Sequence, residues 1–313
     1  MAITGTGTEL DPFIVHSYDE IVEAFSCHDG SLDMYYSKLA NDIDCNDYGT
    51  NWEWETIIVS NGASAVASRR ANTLDLDGHT IKNVYIKNNN YMFNHTSSNY
   101  DNGCVKNGKI LNVFGNTPTA FANGLTLLNV SISLQFGSPT SSLFNGCSIN
   151  NCAIYAIVIN FGGSKQIMGY TGQGTTVKNV DLYFELYGVT GTDAVLFRSA
   201  SNTSYVDSVR AKGKVVPANK LEPTKISWFT QKAVNSVFDI DMSEFVFPEG
   251  TTGTKAVGSA SDGTSVINIS NINVLGVEIF TIPSGYIQAT TPQMTVGSEL
   301  RGLGFLVVNV EGT

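Results

Sequence analysis

The stretch "IKNVYIKNN", residues 81–89, places one asparagine before alternating apolar and polar residues. Looser copies of this phrase recur along the chain. Aligned on their opening polar residue, the copies begin at Asn83, Asn107, Asn129, Asn151, Asn179, Asp207, Asn235 and Asn271. The steps between them are 24, 22, 22, 28, 28, 28 and 36 residues, and Asp207 marks the weakest copy because its apolar register is shifted by one.

A period of about 20 to 40 residues is typical of a solenoid, and alternation with period two indicates strands. Turn-rich stretches such as "GSPTSS" (137–142) and "PEGTTGTK" (248–255) separate the copies. One strand per coil with turns between predicts an all-β fold, a right-handed parallel β-helix. The asparagines are expected to stack as one column at a corner, where each amide bonds to its neighbours and asparagine tolerates left-handed backbone.

The phrase also predicts which side chains face inward. Residues one, three, five and seven positions after the asparagine are mostly apolar. The expected interior residues are Val84, Ile86, Val130, Ile132, Leu134, Phe136, Val180, Leu182, Phe184 and Leu186, with Cys152 and Ile154 in the same rows.

Composition narrows the function classes. The 313 residues carry a net charge of −10, which argues against broad nucleic-acid binding and against anionic membrane surfaces. The five cysteines form no Cys-x-x-Cys pair and are interpreted as small buried apolar residues. The N-terminus has no basic and apolar segments of a signal peptide, and no run is long enough to span a membrane. We therefore expect synthesis and folding in a cytoplasm.

The two ends differ from the repeating middle. Residues 1–60 are interpreted as a small α+β capping or attachment unit, 61–278 as coils, and 279–313 as a C-terminal cap or oligomerisation segment. In the first unit, "ELDPFIV" (9–15) predicts a strand, and "HSYDEIVEAF" (16–25) predicts a helix with Ser17 and Glu20 forming a capping box. The apolar face of that helix is predicted to be Ile21, Val22 and Phe25. The segment "MYYSKLANDIDCND" (34–47) predicts a strand pair.

The same N-terminal stretches carry a resemblance to a known family. "MAITGTGTELDPFIVHSYDEIVEAF" (1–25), "MYYSKLANDIDCND" and "NTLDLDGHTIKNVYI" (72–86) resemble the opening of GLUG-type β-helix surface proteins. Similar openings occur in structural proteins of tailed bacteriophages that infect gut bacteria. The likeness covers about the first 90 residues and departs at "RRANTLDLDGHT" (69–80), which lacks the usual Phe-x-Gly before Asp-Gly.

This resemblance implies a virion surface protein: a head fibre, a capsid decoration or a tail protein. It implies a homotrimer that contacts other virion proteins, assembles in the host bacterial cytoplasm and uses no cofactor. Adhesion to bacterial or mucosal glycans is a further expectation. The alternatives are a glycan-degrading tailspike-type enzyme and a bacterial surface adhesin.

The enzyme alternative requires two carboxylates about 5 to 10 Å apart on one face. The candidates are Asp181, Glu185, Asp239 and Asp241, with Tyr183 among them as a residue that can stack on a sugar. The intervening copy, however, turns Arg210, Lys212 and Lys214 outward, which predicts an acidic, basic, acidic order on neighbouring strands. Opposite charges on neighbouring strands stabilise a sheet, so we interpret these charges as a structural ladder.

Two smaller candidates remain. Calcium-loop spacing is present in Asp42, Asp44, Asn46 and Glu53, at positions one, three, five and twelve, but Asp47 occupies the sixth position, where glycine is needed. A polar turn without metal is the preferred interpretation. Trp52 and Trp54 alternate with glutamates, which predicts one buried tryptophan and one exposed one, with a sugar-binding platform as the functional alternative.

Overall fold

The structure is a computed structural model that describes residues 3–26, 34–49, 52–60, 71–95, 103–162, 165–169, 176–190, 205–218, 233–234, 236–241, 254–255, 266–270, 280–281 and 287–288. One α-helix, α1 (Tyr18–Ser26), and one 3-10 helix (Cys45–Tyr48) stand among strands in this part of the chain. The strands are β1 (Phe13–Val15), β2 (Met34–Leu39), β3 (Ile43–Asp44), β4 (Ile57–Ser60), β5 (Ala71–Asp75), β6 (Thr80–Tyr85), β7 (Tyr91–His95), β8 (Cys104–Gly115), β9 (Ala120–Asn123), β10 (Thr126–Phe136), β11 (Phe144–Asn145), β12 (Ser148–Val158), β13 (Met168–Gly169), β14 (Thr176–Val189), β15 (Tyr205–Pro217), β16 (Ala233–Val234), β17 (Val237–Asp241), β18 (Thr254–Lys255), β19 (Val266–Ser270), β20 (Phe280–Thr281) and β21 (Ile287–Gln288).

Nearly all strand pairings within the described residues are parallel and join one coil to the next. A first stack contains β1, β2 and β5, followed by the leading halves of β8, β10, β12, β14 and β15, and by β16. A second stack contains β3 and β6, the trailing halves of the same long strands, and β17, β19 and β21. A third contains β4, β7, β9, β11 and β13. The predicted all-β parallel β-helix is confirmed.

The interior follows the predicted rows. The ten inward residues predicted from the repeat are at most 2% exposed, and Ile154 and Cys152 lie among them. On the third face, aromatic rings form a column along the coil axis, with centroid distances of 6.2 Å for Trp54–Phe93, 6.2 Å for Phe93–Phe121 and 5.3 Å for Phe121–Phe144. Because each coil alone cannot bury its apolar face, stacking supplies the core.

A glycine marks the tightest point of this interior. A Cβ on Gly213 would lie 2.3 Å from the carbonyl oxygen of Phe184 and 2.6 Å from its ring. Phe184 is the residue paired with Gly213 on the neighbouring strand. The absent side chain of Gly213 therefore makes room for the phenylalanine.

The N-terminal helix is capped almost as predicted. Ser17 Oγ accepts a hydrogen bond from the Glu20 backbone N–H at 3.2 Å, and the Glu20 carboxylate accepts from the backbone N–H of His16 at 2.7 Å, one residue before the position expected for a capping box. Burial opposes ionisation of Glu20, but these contacts with His16 lower its pKa. The buried face contains Ile21, Ala24 and Phe25, whereas Val22 is 38% exposed, so the prediction for Val22 is wrong.

The parallel coil begins before residue 61. The predicted strand pair at 34–47 does not form a hairpin: β2 pairs in parallel with β5, and β3 pairs in parallel with β6. Turn residues separate β2 from β3, so each strand reaches the matching face of the next coil. Strands β2, β3 and β4 thus already belong to the three stacks of the coil.

Several predictions fall on the rest of the chain. Cys27, Asn235, Asn271 and most of the segment 279–313, including "GLGFLVVNV" (302–310), lie outside the described residues. In the part that the structure does describe, no helix has the length and apolar character needed to cross a membrane.

Candidate functional site

The predicted asparagine column exists between Asn107 and Asn179. Each side-chain amide donates to the side-chain oxygen of the preceding member: Asn129 to Asn107 at 3.0 Å, Asn151 to Asn129 at 3.2 Å and Asn179 to Asn151 at 3.0 Å. All four residues have φ between 52° and 60°. The column therefore combines left-handed backbone, which asparagine tolerates, with a continuous side-chain hydrogen-bond chain.

Asn83 belongs to a different column, which corrects its grouping with Asn107. The Asn83 amide donates to Asp44 at 2.8 Å, and Asn83 accepts from Asn112 at 3.1 Å. The strand register agrees, because Lys82 pairs with Leu111 and Val84 with Val113. Strand β8 contains two asparagine corners, and alignment on its first asparagine chose the wrong one.

A third column was missed from the sequence. Asn123 donates to Asn94 at 2.8 Å, and Asn145 donates to Asn123 at 2.9 Å. These residues end strands of the third stack, where no run of alternating residues follows the asparagine. The spacing of 29 and then 22 residues matches the coil lengths and was the usable signal.

The weak copy at Asp207 is also corrected. Asp207 pairs with Lys178, and Val209 pairs with Val180, so Ser208 lies opposite Asn179. Ser208 has φ 55°, the corner conformation. The shifted apolar register of this copy arises because the corner residue is the serine that follows the aspartate.

Aspartates begin two of the columns. Asp75 accepts from the Asn107 amide at 3.1 Å and lies 3.5 Å from Lys106 Nζ, while Asp44 accepts from Asn83 and lies 3.2 Å from Lys82 Nζ. A carboxylate can only accept, so it fixes the direction in which every later amide points. The Asn83 amide holds the pKa of Asp44 below its usual value despite partial desolvation, with further help from the Asn46 N–H and Lys82.

Two of the four carboxylates predicted for a glycosidase, Asp181 and Glu185, are already bonded, whereas the side chains of Asp239 and Asp241 lie outside the part of the chain that the structure describes. Arg210 binds both oxygens of Asp181, with Nε–Oδ1 at 2.7 Å. Glu185 is 9% exposed, and its two oxygens accept from the hydroxyls of Tyr183, at 3.0 Å, and Tyr187. These contacts keep both carboxylates in paired positions.

The strand register confirms the predicted acidic, basic, acidic order. Asp181 pairs with Arg210, Tyr183 with Lys212 and Glu185 with Lys214. On the next strand, Asp239 lies opposite Lys212 and Asp241 opposite Lys214. A basic rung thus separates the two acidic strands, which lie about 10 Å apart across two rungs.

Tyr183 is held between its neighbours. Its ring stacks on that of Tyr155, with centroids 5.1 Å apart and an interplanar angle of 10°. Burial and then Glu185 raise the pKa of Tyr183, so its hydroxyl stays protonated and keeps donating to Glu185. Burial and Glu185 also raise the pKa of Tyr155 to about 12.

The calcium-loop residues serve other contacts. Asp42 Oδ1 accepts from the Thr80 backbone N–H at 2.9 Å, and Asp44 Oδ1 accepts from the Asn46 N–H at 3.0 Å as well as from Asn83. No group of three or more His, Cys, Asp or Glu among the described residues is placed to hold a metal ion. Asn46 and Glu53 line a surface groove instead.

The two tryptophans divide as the alternation predicted. Trp54 is fully buried, and its Nε1 donates to the Met92 carbonyl oxygen at 3.1 Å, so Trp54 is not a ligand platform. Trp52 is half-buried and lines the same groove as Asn46 and Glu53.

The described cysteines are free thiols: Cys45, Cys104, Cys147 and Cys152. Desolvation is the largest influence on each, and it raises the pKa to about 12 for Cys45 and Cys147 and to about 11 for Cys104 and Cys152. Thiols of this kind remain protonated and are poor nucleophiles, which agrees with the packing role predicted from the sequence.

In comparisons with known proteins, no family model, no curated protein and no solved structure matches the chain.

Proposed function

We propose that this protein is a structural, non-enzymatic component displayed on the surface of a bacteriophage particle, as a head fibre, capsid decoration or tail protein. The observation that carries its structural character is the state of the outward carboxylates. Asp181 is bound by Arg210, and Glu185 accepts from two tyrosine hydroxyls. A general acid for glycoside cleavage needs access to the bond that it protonates, and both oxygens of Asp181 are already occupied by the Arg210 guanidinium.

The assignment to a virion rests on the resemblance of the N-terminal 90 residues to phage β-helix proteins. A rigid rod of stacked coils suits display, because its length grows coil by coil while every coil is held by its neighbours. A homotrimer is part of the proposal, with assembly in the host bacterial cytoplasm and no cofactor.

Immunogold electron microscopy of purified phage particles tests the placement. An antibody against this chain is expected to label capsids or tails, and its position distinguishes decoration or head fibre from tail protein. Label on the envelope of phage-free bacteria, with none on particles, would instead identify a bacterial adhesin. Native mass spectrometry of the purified protein is expected to give three times the chain mass.

An activity assay tests the non-enzymatic part. Incubation with capsular and mucosal polysaccharides is expected to release no reducing ends and no unsaturated products above buffer. Release that disappears in both Asp181→Asn and Glu185→Gln variants would overturn the structural role and establish the tailspike-type enzyme.

A further inference from the structure

A surface groove of about 590 Å³ lies between the segment that follows β3 in the first coil and β6 of the next coil. One wall comes from the 3-10 helix, through Cys45 and Asn46, and from Gly49 just after it. The floor comes from Asn83 and Tyr85 on the outer side of β6, and the other wall from Trp52 and Glu53. The groove therefore brings together residues from three separate segments of the chain.

The tryptophan in this groove is rigidly held. The Trp52 ring stacks on that of Tyr48, with centroids 4.7 Å apart, and meets the Tyr18 ring edge-on at 5.0 Å. Tyr48 is itself fixed, because its hydroxyl accepts from the Tyr18 backbone N–H at 2.8 Å. A preorganised aromatic ring binds a ligand without the cost of ordering a side chain.

Polar side chains line the groove around this ring. Within the described residues, the side chains of Asn46, Glu53 and Tyr85 make no hydrogen bond, although each lines the groove. Together they supply amide donors and an acceptor, a carboxylate, and a hydroxyl. Gly49 adds no side chain, and the space where its Cβ would lie is open.

The charge in the groove selects the ligand class. Glu53 is the single charged residue among the described residues that line it. An anionic ligand would meet this carboxylate, and Lys87, the cation that interacts with Glu53, does not line the groove and is paired with Glu55, which disfavours acidic saccharides and phosphates. A small cation would use Glu53 and Trp52 but leave the amide donors of Asn46 unpaired.

An exposed aromatic residue lies next to the groove on the following coil. Tyr85 pairs with Phe114 on the next coil, and Phe114 is 40% exposed, although it is a large apolar residue. Two aromatic rings thus follow one another on the outer face, beyond Trp52. A ligand with several repeating rings matches this extension better than a single compact molecule does.

We propose that this groove binds a neutral oligosaccharide. The C–H face of one sugar ring lies on Trp52, and its hydroxyls bond to Glu53, Asn46 and Tyr85. A carboxylate accepts from two neighbouring hydroxyls, and the amide both donates and accepts, which suits a polyhydroxylated ring. Sugar binding at this groove does not depend on where the protein is displayed. A failure to bind sugar would therefore leave the display proposal unaffected.

The test uses the full-length protein, an array of neutral oligosaccharides, and titration with soluble probes such as cellohexaose and maltoheptaose. We expect at least one neutral oligosaccharide to bind and to change tryptophan fluorescence. Glu53→Gln and Asn46→Ala should each weaken binding about tenfold, the loss of a hydrogen bond to a charged or amide group. Trp52→Phe should abolish the fluorescence change.

Glu55→Gln is the matched control, because Glu55 lies two residues further on, is exposed and pairs with Lys87 at 2.9 Å outside the groove. It should bind like the wild-type protein, and thermal unfolding should show that all variants are folded. The proposal is overturned if no neutral oligosaccharide binds, if binding is equal in the Glu53→Gln and Glu55→Gln variants, or if a quaternary ammonium probe binds at Glu53 in place of sugars.

Discussion

Asparagine is chosen at the corners of this coil for two separate properties. Its backbone tolerates φ near 55°, and its side chain both donates and accepts along the column. Ser208 shows that the two properties can be separated, since it adopts the corner conformation with a side chain that donates to Asp207 at 2.8 Å instead. Whether a hydrogen-bonded column continues through a given corner therefore depends on the residue at that corner as well as on the fold.

Replacing Asn129 separates the two contributions. Asn129→Gly removes two side-chain hydrogen bonds but keeps the left-handed backbone free of strain, which should cost about 1 kcal/mol of unfolding free energy at this exposed corner. Asn129→Ala removes the same bonds and adds strain, for a total of about 2 to 3 kcal/mol. Urea unfolding followed by circular dichroism measures both, and equal losses in the two variants would contradict the role of the backbone.

Acid should weaken the column that contains Asn83 and Asn112, because that column begins at Asp44. The pKa of folded Asp44 lies below its ordinary value of 3.8, chiefly because of the Asn83 amide. A lowered folded pKa means that the contribution is present above the unfolded pKa and is lost as pH falls through the folded one. Thermal unfolding between about pH 5 and 2 should fall less steeply in Asp44→Asn, which keeps an oxygen acceptor but does not titrate. Parallel curves would rule out this linkage.

At the scale of strands, the charge ladder is a cross-strand device. Asp181 has Ala153 on one side and Arg210 on the other, and Arg210 has Val237 beyond it. The pair is thus flanked by neutral residues along its row. The contribution of this pair to the stability of the sheet is therefore confined to these two residues. It is about 0.2 to 1 kcal/mol, as for other cross-strand pairs.

Reversing one charge of the Asp181–Arg210 pair should therefore destabilise the protein, whereas reversing both charges should not. Arg210→Glu loses the pair and adds repulsion with Asp181, for about 1 to 2 kcal/mol of lost stability. The exchange Asp181→Arg with Arg210→Glu should recover most of that loss, because the flanking residues are neutral. Melting temperatures of the three variants form the test, and an unchanged value for Arg210→Glu would remove the ladder as an explanation of these charges.

At the scale of the whole molecule, the aromatic column joins the N-terminal helix to the coil. Tyr18 of α1 contacts Trp54 with ring centroids 4.7 Å apart, and Trp54 continues to Phe93 and onward inside the coil. A solenoid transmits stability only between neighbours, so the first coil depends on this contact. The open end of the coil is closed by packing as well as by the helix itself.

Removing this contact should loosen the cap before the rest of the coil. Trp54→Ala should cost about 3 to 5 kcal/mol locally, as for other buried aromatic truncations. Hydrogen exchange should accelerate in α1 and β7 and stay unchanged in β12 and β14. Trp54→Phe keeps a ring and is the control with the smaller effect. Uniform acceleration across all coils would show that the molecule unfolds as one unit instead.

The local sequence determined the strand period, the inward rows and the alternation of charge across β14, β15 and β17. These features follow from side-chain direction, which alternates along a strand whatever lies beside it. The helix α1 was predictable for the same reason, since Ser17 and Glu20 are neighbours within one turn. The inward rows remained correct even where the asparagine alignment was wrong, because they depend only on parity within each strand.

Only the tertiary structure decided which residues meet across coils. Asn83 stacks on Asn112 and not on Asn107, because the number of residues in the intervening turns sets the partner, and no local pattern records that number. The tertiary structure also decided that Trp54 is buried and Trp52 is not. It likewise decided that Asp42 and Asp44 accept hydrogen bonds from Thr80 and Asn83 of the next coil. The groove arises likewise, since the segment from Cys45 to Glu53 meets Asn83 and Tyr85 of the next coil only when the coils stack.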